Sequence, residues 1–460
     1  MIRLFKHYIP KSLILLSLFE LLILLLSVQI AVDIRFAGEE NAKIESLAGI
    51  SSLFCIVHLI CMIAFGLYQR HMRDGLQGMF FRIAAAFSVA FVVLSLAFYL
   101  FPSVYLGRGV FAIAFVLALI GVVLARIMYI NVVDKEKLNQ RMLVVGAGEK
   151  AKLIEDLLKR RSDRRGFTIV GYVPLDHEES VLDTRKLITH SSTLTHLVEE
   201  LDIDEIVLAV TDRRNGFPVE ELLDCKMSGV RVVDVQTFFE RQAGRLIVHL
   251  LQPSWLIFSD GFAQGTIREI VKRAFDIVAS LLLLTFAFPF MILTAIAIYL
   301  EDRGPVFYRQ VRVGQNWKLV RVMKFRSMRT DAEKNGAQFA EKDDDRITRT
   351  GNFIRKTRID ELPQLFNVLK GDMSFVGPRP ERPEFVEEFT ESIPFYSERH
   401  RVKPGITGWA QICYPYGASE KDTIEKLQYD LYYVKNYSIF LDLTVLFQTA
   451  EVILWGKGAR

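Results

Sequence analysis

The sequence predicts a membrane α-helical bundle of four spans, a Rossmann-like α/β middle domain, and a mainly α C-terminal domain anchored by a re-entrant membrane hairpin. Three observations carry that expectation. Long apolar stretches crowd the first 134 residues, short β-rich runs alternate with helical ones from Arg141, and a proline-interrupted apolar run opens a cation-dense C-terminal region. At 460 residues the chain exceeds one ordinary domain, and 51% hydrophobic content with a mean hydropathy of +0.24 is too apolar for a purely soluble protein.

The bundle rests on residues 13–32, 50–67, 83–101 and 110–132, each near the length of about 20 residues that crosses a bilayer as helix. Lys6 and Lys11 precede the first stretch, Arg70, His71, Arg73 and Arg82 fill the second loop, and Lys135, Lys137 and Arg141 follow the fourth. The positive-inside rule then sets both ends of the bundle in the cytoplasm. Glu20 inside the first stretch and the lack of a small-residue cleavage site favour a retained span over a removable signal peptide.

Residues 142–145, 169–173, 206–210 and 230–235 are the β-rich runs, and their alternation with helical segments reads as a parallel sheet. The first run enters Gly146-Ala-Gly148-Glu-Lys-Ala151, with alanine where a dinucleotide fingerprint has its third glycine. Two readings stay open there: a nucleotide pocket on a helix N-terminus, or a tight turn in a regulatory or oligomerising domain.

Residues 277–300 are long enough to cross the membrane, but Pro289 interrupts them, and cations flank both sides: Arg268, Lys272 and Arg273 before, Arg303, Arg309 and Arg312 after. A re-entrant hairpin satisfies both flanks; a fifth spanning helix is the alternative. Residues 439–455 are apolar but carry Asp442, Gln448 and Glu451, which suits either a helix in the interface or one buried against the C-terminal domain. Four cysteines without paired spacing give neither a disulfide framework nor a metal motif, and a net charge of +4 does not argue for nucleic acid.

The chemistry concentrates between Arg355 and Pro380. Leu362, Leu365, Phe366 and Leu369 recur at helical spacing, with Pro363 suited to a first turn and Gly371 to the position after the last. Asp360 and Glu361 therefore stand at a helix mouth, among Arg355, Lys356 and Arg358. Downstream, Gly377-Pro-Arg-Pro380 forms a rigid turn that aims Arg379, whose planar fork suits phosphate oxygens. Adjacent carboxylates among fixed cations are chemistry for phosphate esters.

Residues 265–460 resemble the bacterial sugar transferase family, the monotopic phosphoglycosyltransferases that start exopolysaccharide and O-antigen assembly. The likeness rests on Lys272-Arg-Ala-Phe-Asp276, Pro305-Val-Phe-Tyr-Arg-Gln-Val-Arg-Val-Gly314, Lys324-Phe-Arg-Ser-Met328, Asp360-Glu-Leu-Pro-Gln364, Gly377-Pro-Arg-Pro380 and Pro404-Gly-Ile-Thr-Gly-Trp-Ala-Gln411. With the preceding segments, the whole chain is similar to the long form, the polyprenyl glycosylphosphotransferases. The resemblance implies a four-helix bundle over 1–134, a CoA-binding-like α/β domain over 135–262 and a catalytic domain over 263–460, its re-entrant helix at 272–300 carrying Lys272, Arg273, Asp276 and Pro289.

It also implies Asp360 as nucleophile, Glu361 with Asp360 as holders of Mg²⁺, Lys324, Arg326, Arg355, Arg358 and Arg379 as phosphate binders, and Thr407 and Gln411 in a nucleotide-side loop. The implied reaction moves a hexose 1-phosphate from a UDP-hexose to polyprenyl (undecaprenyl) phosphate in two steps through a phosphosugar-aspartate, with glucose or galactose 1-phosphate the usual cargo. The expected setting is the bacterial inner membrane, with both soluble domains cytoplasmic, and a homodimer. One departure is Ala287-Phe288-Pro289, where many relatives pair serine with the proline.

Two rival functions can be weighed on sequence. A membrane-anchored nucleotide-sugar dehydratase needs a Tyr-x-x-x-Lys pair, and none of the 15 tyrosines has lysine four residues on. A non-catalytic membrane scaffold or regulator of polysaccharide export would leave the Asp360–Glu361 pair inert and release no UMP from a UDP-sugar.

Overall fold

Residues 2–4, 7–9, 11–36, 47–68, 75–102, 105–133, 140–157, 167–175, 178–188, 193–211, 216–259, 261–262, 265–332, 344–414, 417 and 419–455 are described by a computed structural model. Apart from the extreme N-terminus, packing divides the chain into two units at Ala243/Gly244.

In the first unit, helices Lys11–Arg35, Leu47–Ala64, Gly75–Leu100 and Arg108–Val133 pack through small side chains. Ala86 and Ala90 on the third helix and Ala114 and Ala118 on the fourth are buried at i, i+4 spacing, which lets apolar helices approach closely where lipid offers no hydrophobic drive. Glu20 of the first helix and Arg126 of the fourth form a fully buried ion pair at 2.7 Å, to which the Tyr68 hydroxyl also donates. The second helix differs from expectation. Its apolar stretch is only Ala48–Ile63, shorter than the other three spans, because Gly66 takes a left-handed φ of 67° and closes a Schellman turn, with Leu67 N donating to Met62 O and Gly66 N to Ile63 O. Four helices among the described residues are long and apolar enough to cross a membrane: the first, third and fourth of the bundle, and Thr266–Asp302.

The α/β part has four parallel strands in the spatial order Phe167–Val173, Gln140–Val145, Glu205–Leu208, Arg231–Asp234, as the alternating pattern predicts. The turn after Gln140–Val145 is occupied from within: Ala147 N donates to Glu178 Oε2 at 3.0 Å, and a Cβ on Gly148 would collide with the same carboxylate. A side chain stands where a dinucleotide would bring its phosphate, which favours the tight-turn reading.

The second unit begins at Gly244, ahead of the boundary at 263 expected from sequence. The reason is local: Gly244 O accepts from Trp409 Nε1 at 2.8 Å, Arg245 pairs with Glu425 at 2.7 Å, and Lys435 lies over the Trp255 ring. The unit is mainly helical, with an antiparallel hairpin, Phe307–Val313 with Leu319–Phe325, and a short parallel pair, Ser374–Val376 with Gly405–Thr407. Its core gathers Leu365, Val376, Tyr396, Leu431, Tyr432, Tyr433 and Leu441. In the C-terminal helix Ile439–Trp455, Leu441, Asp442, Val445 and Gln448 are buried, so this stretch takes the buried alternative. Asp442 is fully buried, 2.7 Å from both Lys272 Nζ and the Tyr433 hydroxyl.

The segment expected as a hairpin is one helix, Thr266–Asp302, with Pro289 inside it. An apolar helix tolerates the missing N–H when its neighbours pack closely, so the proline need not break it. One stripe of the helix, Asp276, Ser280, Ala287, Met291, Thr294 and Ile298, is buried. Near its start, Asp276 accepts from Ser374 Oγ and Phe375 N, each at 3.0 Å. At its end, Asp302 pairs with Arg326, and Glu301 accepts from Arg349 N at 2.9 Å. Both ends are thus fastened to the same unit.

Candidate active site

The site is built on a short, tightly shaped run of backbone. Thr348 caps helix Arg349–Lys356 by accepting from Gly351 N at 2.9 Å, and Arg358, at a left-handed φ of 59°, then reverses the chain into the 3₁₀ turn Ile359–Glu361. Helix Gln364–Lys370 follows and ends at Gly371, whose φ of 98° suits glycine. The Pro363 and Gly371 punctuation is as expected, but the buried face is not. Gln364, Leu365, Asn367 and Val368 are buried, whereas Phe366 is exposed. Asn367 explains the difference, because its amide bridges to the neighbouring strand, accepting from Met323 N at 3.0 Å and donating to Arg321 O at 2.8 Å. Arg273 caps the other end of this helix, donating to Val368 O and Leu369 O.

Asp360 and Glu361 are 9% and 7% exposed, and they differ sharply in surroundings. Glu361 Oε1 lies 3.1 Å from Arg379 Nη1, 3.4 Å from Lys324 Nζ and 3.7 Å from Arg358 Nη1. Burial works against its charge, yet Arg379, Lys324 and Arg358 pull its pKa down to about 2. The Asp360 carboxyl is pushed up to about 6 by burial and by the Glu361 charge, and its buried Oδ1 has no hydrogen-bond partner. One acid is a fixed anion that gathers cations; the other is an open oxygen beside them. The Lys324 ammonium is pulled down by burial, with Arg379 adding to the effect.

The Arg379 turn is held from behind. Gly377 N donates to Thr407 O and Gly405 N to Pro378 O, both at 2.9 Å, and a Cβ on Gly377, Gly405 or Gly408 would collide with the facing backbone. Thr407 Oγ1 bonds Thr449 Oγ1 at 2.7 Å and so serves the scaffold under the turn, whereas Gln411 Nε2 reaches Ile406 O only at 3.5 Å and its buried Oε1 has no hydrogen-bond partner. Of the cations named from sequence, Lys324, Arg358 and Arg379 converge on Glu361. Arg326 is engaged at the end of the long helix by Asp302, and among the described residues Arg355 pairs with neither carboxylate.

Sequence reasoning missed Arg399. This buried guanidinium donates to the Arg379 carbonyl at 2.9 Å, Asp430 at 2.8 Å and the Tyr396 hydroxyl at 2.7 Å. No local pattern around Arg399 or Asp430 marks them.

Residues 267–456 match the family model for bacterial sugar transferases, and residues 63–214 match one for a CoA-binding domain. Over 99% of this chain and 96% of the other, the sequence is 30% identical to the UDP-glucose:undecaprenyl-phosphate glucose-1-phosphate transferase of Xanthomonas campestris pv. campestris. The chain belongs to the bacterial sugar transferase family. It is also 41% identical to the UDP-N-acetylgalactosamine-undecaprenyl-phosphate N-acetylgalactosaminephosphotransferase of Aeromonas hydrophila, over 60% of this chain and 66% of that one. A Klebsiella pneumoniae UDP-glucose:undecaprenyl-phosphate glucose-1-phosphate transferase is 37% identical over 63% of each. The chain thus spans just under two thirds of these last two relatives. The sugar transferase match lies wholly within the second unit, which carries Asp360, Glu361 and the cations around them.

Proposed function

We propose that the second unit transfers a hexose 1-phosphate from a UDP-hexose to undecaprenyl phosphate, the first membrane step of exopolysaccharide or O-antigen assembly. The observation that carries this reading is the open Asp360 Oδ1 beside a glutamate whose charge is clamped by three cations. In the first step an Asp360 oxygen attacks the sugar-bearing phosphorus, the bond from that phosphorus to the bridging oxygen breaks, and UMP leaves with that oxygen. In the second, an oxygen of undecaprenyl phosphate attacks the same phosphorus, the aspartyl ester bond breaks, and undecaprenyl-diphosphate hexose leaves a restored carboxylate. Lys324, Arg358 and Arg379 offset the phosphate charge that would otherwise repel the nucleophile.

The residues fit a divalent ion. Among the described residues no cluster of three or more metal-ligating side chains exists, and Mg²⁺ ordinarily uses one or two carboxylates together with substrate phosphates. The unpartnered Asp360 oxygen and Glu361 would hold it, and its charge would further neutralise the pyrophosphate.

The membrane setting follows from the long helix. Its exposed face carries Leu282, Phe286, Phe290 and Leu293, while both its ends are fastened to one unit. A helix with both ends held to one unit keeps that unit at a single face of the bilayer, and in this reading the face is the cytoplasmic one, where UDP-sugars are. The site then lies within reach of a lipid phosphate. The bundle and α/β domain support a homodimer in this reading.

The test is UMP release from a panel of UDP-hexoses, including the N-acetylated ones, with Mg²⁺ and undecaprenyl phosphate. Turnover with one donor, and a phosphosugar adduct on Asp360 by intact-protein mass when acceptor is omitted, support the reading; turnover retained by Asp360→Asn sinks it.

A further inference from the structure

The short helix Pro253–Phe258 divides its side chains in two. Trp255 and Leu256 pack against the core of the second unit, and Lys435 Nζ stands 4.0 Å from the centre of the Trp255 ring. Ile257 and Phe258 turn the other way and are 75% and 85% exposed. The other exposed residues of this stretch, Gln252, Pro253 and Ser254, carry no charge. An aromatic and a branched aliphatic side chain held together in the open form a patch that calls for an apolar partner.

The first turns of the long helix Thr266–Asp302 are inverted in the same sense. Their cations face the protein: Arg268 lies 3.7 Å over the Tyr437 ring, Lys272 donates to Val376 O at 3.1 Å, and Arg273 donates to Val368 O and Leu369 O. Ile267, Ile270, Val271 and Val278 face out, and their helical spacing continues into Leu281 and Leu282 on the exposed apolar face of the same helix. The short helix stands beside the start of that stripe. Trp255 rests on Lys435, Phe262 N donates to Lys435 O at 3.3 Å, and Arg268 rests on Tyr437, only two residues further on.

Length points to the same boundary. The long helix has 37 residues and so measures about 55 Å, against about 30 Å of hydrocarbon in a bilayer. An apolar stripe that starts at Ile267 therefore runs past the hydrocarbon of an upright helix, and its first turns belong at headgroup level. Apolar side chains outward with polar ones behind them suit that level.

We propose that Ile257 and Phe258 insert into the headgroup–acyl boundary as a second lipid contact of this unit, set to one side of the long helix. Lipid is the occupant because the patch adjoins a stripe that is already apolar along a membrane-length helix. A unit held to the bilayer by one helix can roll about that helix, and a contact off its axis restrains the roll of the part that carries Asp360. The proposal goes beyond the transferase reading and does not depend on it.

The experiment uses the full chain in nanodiscs of phosphatidylcholine and phosphatidylglycerol, with Cys413→Ser, because Cys55, Cys61 and Cys225 are buried and Cys413 is half-buried. A thiol-reactive fluorophore is attached through Phe258→Cys, with Phe286→Cys on the long helix as the lipid-facing reference and Glu387→Cys on helix Pro383–Ser392 as the polar-surface reference. Lipid spin-labelled high on its acyl chain should quench position 258 at least about threefold more than position 387, and aqueous iodide should quench it at least about threefold less. Ile257→Cys gives an independent reading should the fluorophore at 258 disturb its helix. Iodide quenching at 258 and 257 equal to that at 387 leaves the patch in water and overturns the proposal. Protection from both quenchers means that a second copy or another part of the chain covers the patch, and overturns it equally. Neither result touches the transferase reading, which UMP release tests.

Discussion

Arg399 donates to the backbone carbonyl of Arg379 from 2.9 Å away, so a guanidinium sealed in the core sets the position of the one that grips Glu361. Asp430 balances it at 2.8 Å and is itself buried. Replacing Arg399 with Met would strand that carboxylate at a cost of about 3–5 kcal/mol, whereas Arg399→Lys keeps the charge and loses most of the three-way contact. The lysine variant should stay folded yet turn over more slowly. Thermal melts paired with UMP-release kinetics separate the two effects.

The Asp360 carboxyl, raised to about 6, must be ionised to act as a nucleophile, so the first half-reaction should climb with pH through about 6 and level off above it. Stability runs the other way. A raised carboxyl pKa contributes stability fully present below the ordinary aspartate value and lost as pH rises through about 6. Asp360→Asn should therefore melt no earlier than wild type at pH 8 while releasing no UMP from donor. An early-melting Asn variant would contradict the assigned burial penalty.

Glu361→Gln removes the charge that helps raise Asp360 and leaves Arg379, Lys324 and Arg358 without their shared anion. Although turnover should fall by at least about a hundredfold, the acid limb of whatever remains should move below pH 6. A pH–rate profile of the residual UMP release reads the direction of that shift.

In the bundle, Glu20 and Arg126 are buried partners at 2.7 Å. Arg126→Met alone should lower stability in detergent by about 3–5 kcal/mol, and adding Glu20→Leu should recover much of the loss because no unpaired charge is left. Comparing melts of the single and double variants gives the coupling directly.

The sequence made the site legible where charge type and chain proximity coincide. Asp360, Glu361 and Arg358 lie within four residues, and the rigid Gly377–Pro380 turn announces Arg379. It misled where a polar side chain works as backbone. Asn367 spends its amide on the neighbouring strand and turns the helix so that Phe366 points outward, which a count of apolar spacing does not register. Arg326 has the charge of a phosphate binder, but Asp302 claims it from far along the chain. The same limit hid Arg399, whose partners are all distant except Tyr396. The parallel sheet was readable because each strand carries at least two β-branched residues and the strands alternate with helical segments; the path of the long helix was not, because a proline's effect depends on what packs around it.

The Glu178 carboxylate at the Gly146–Gly148 turn sets a fixed negative charge at the mouth of the helix that begins at Glu149. An anionic ligand arriving at that turn meets a like charge, so it has to swing the Glu178 side chain aside before it can reach the Ala147 N–H.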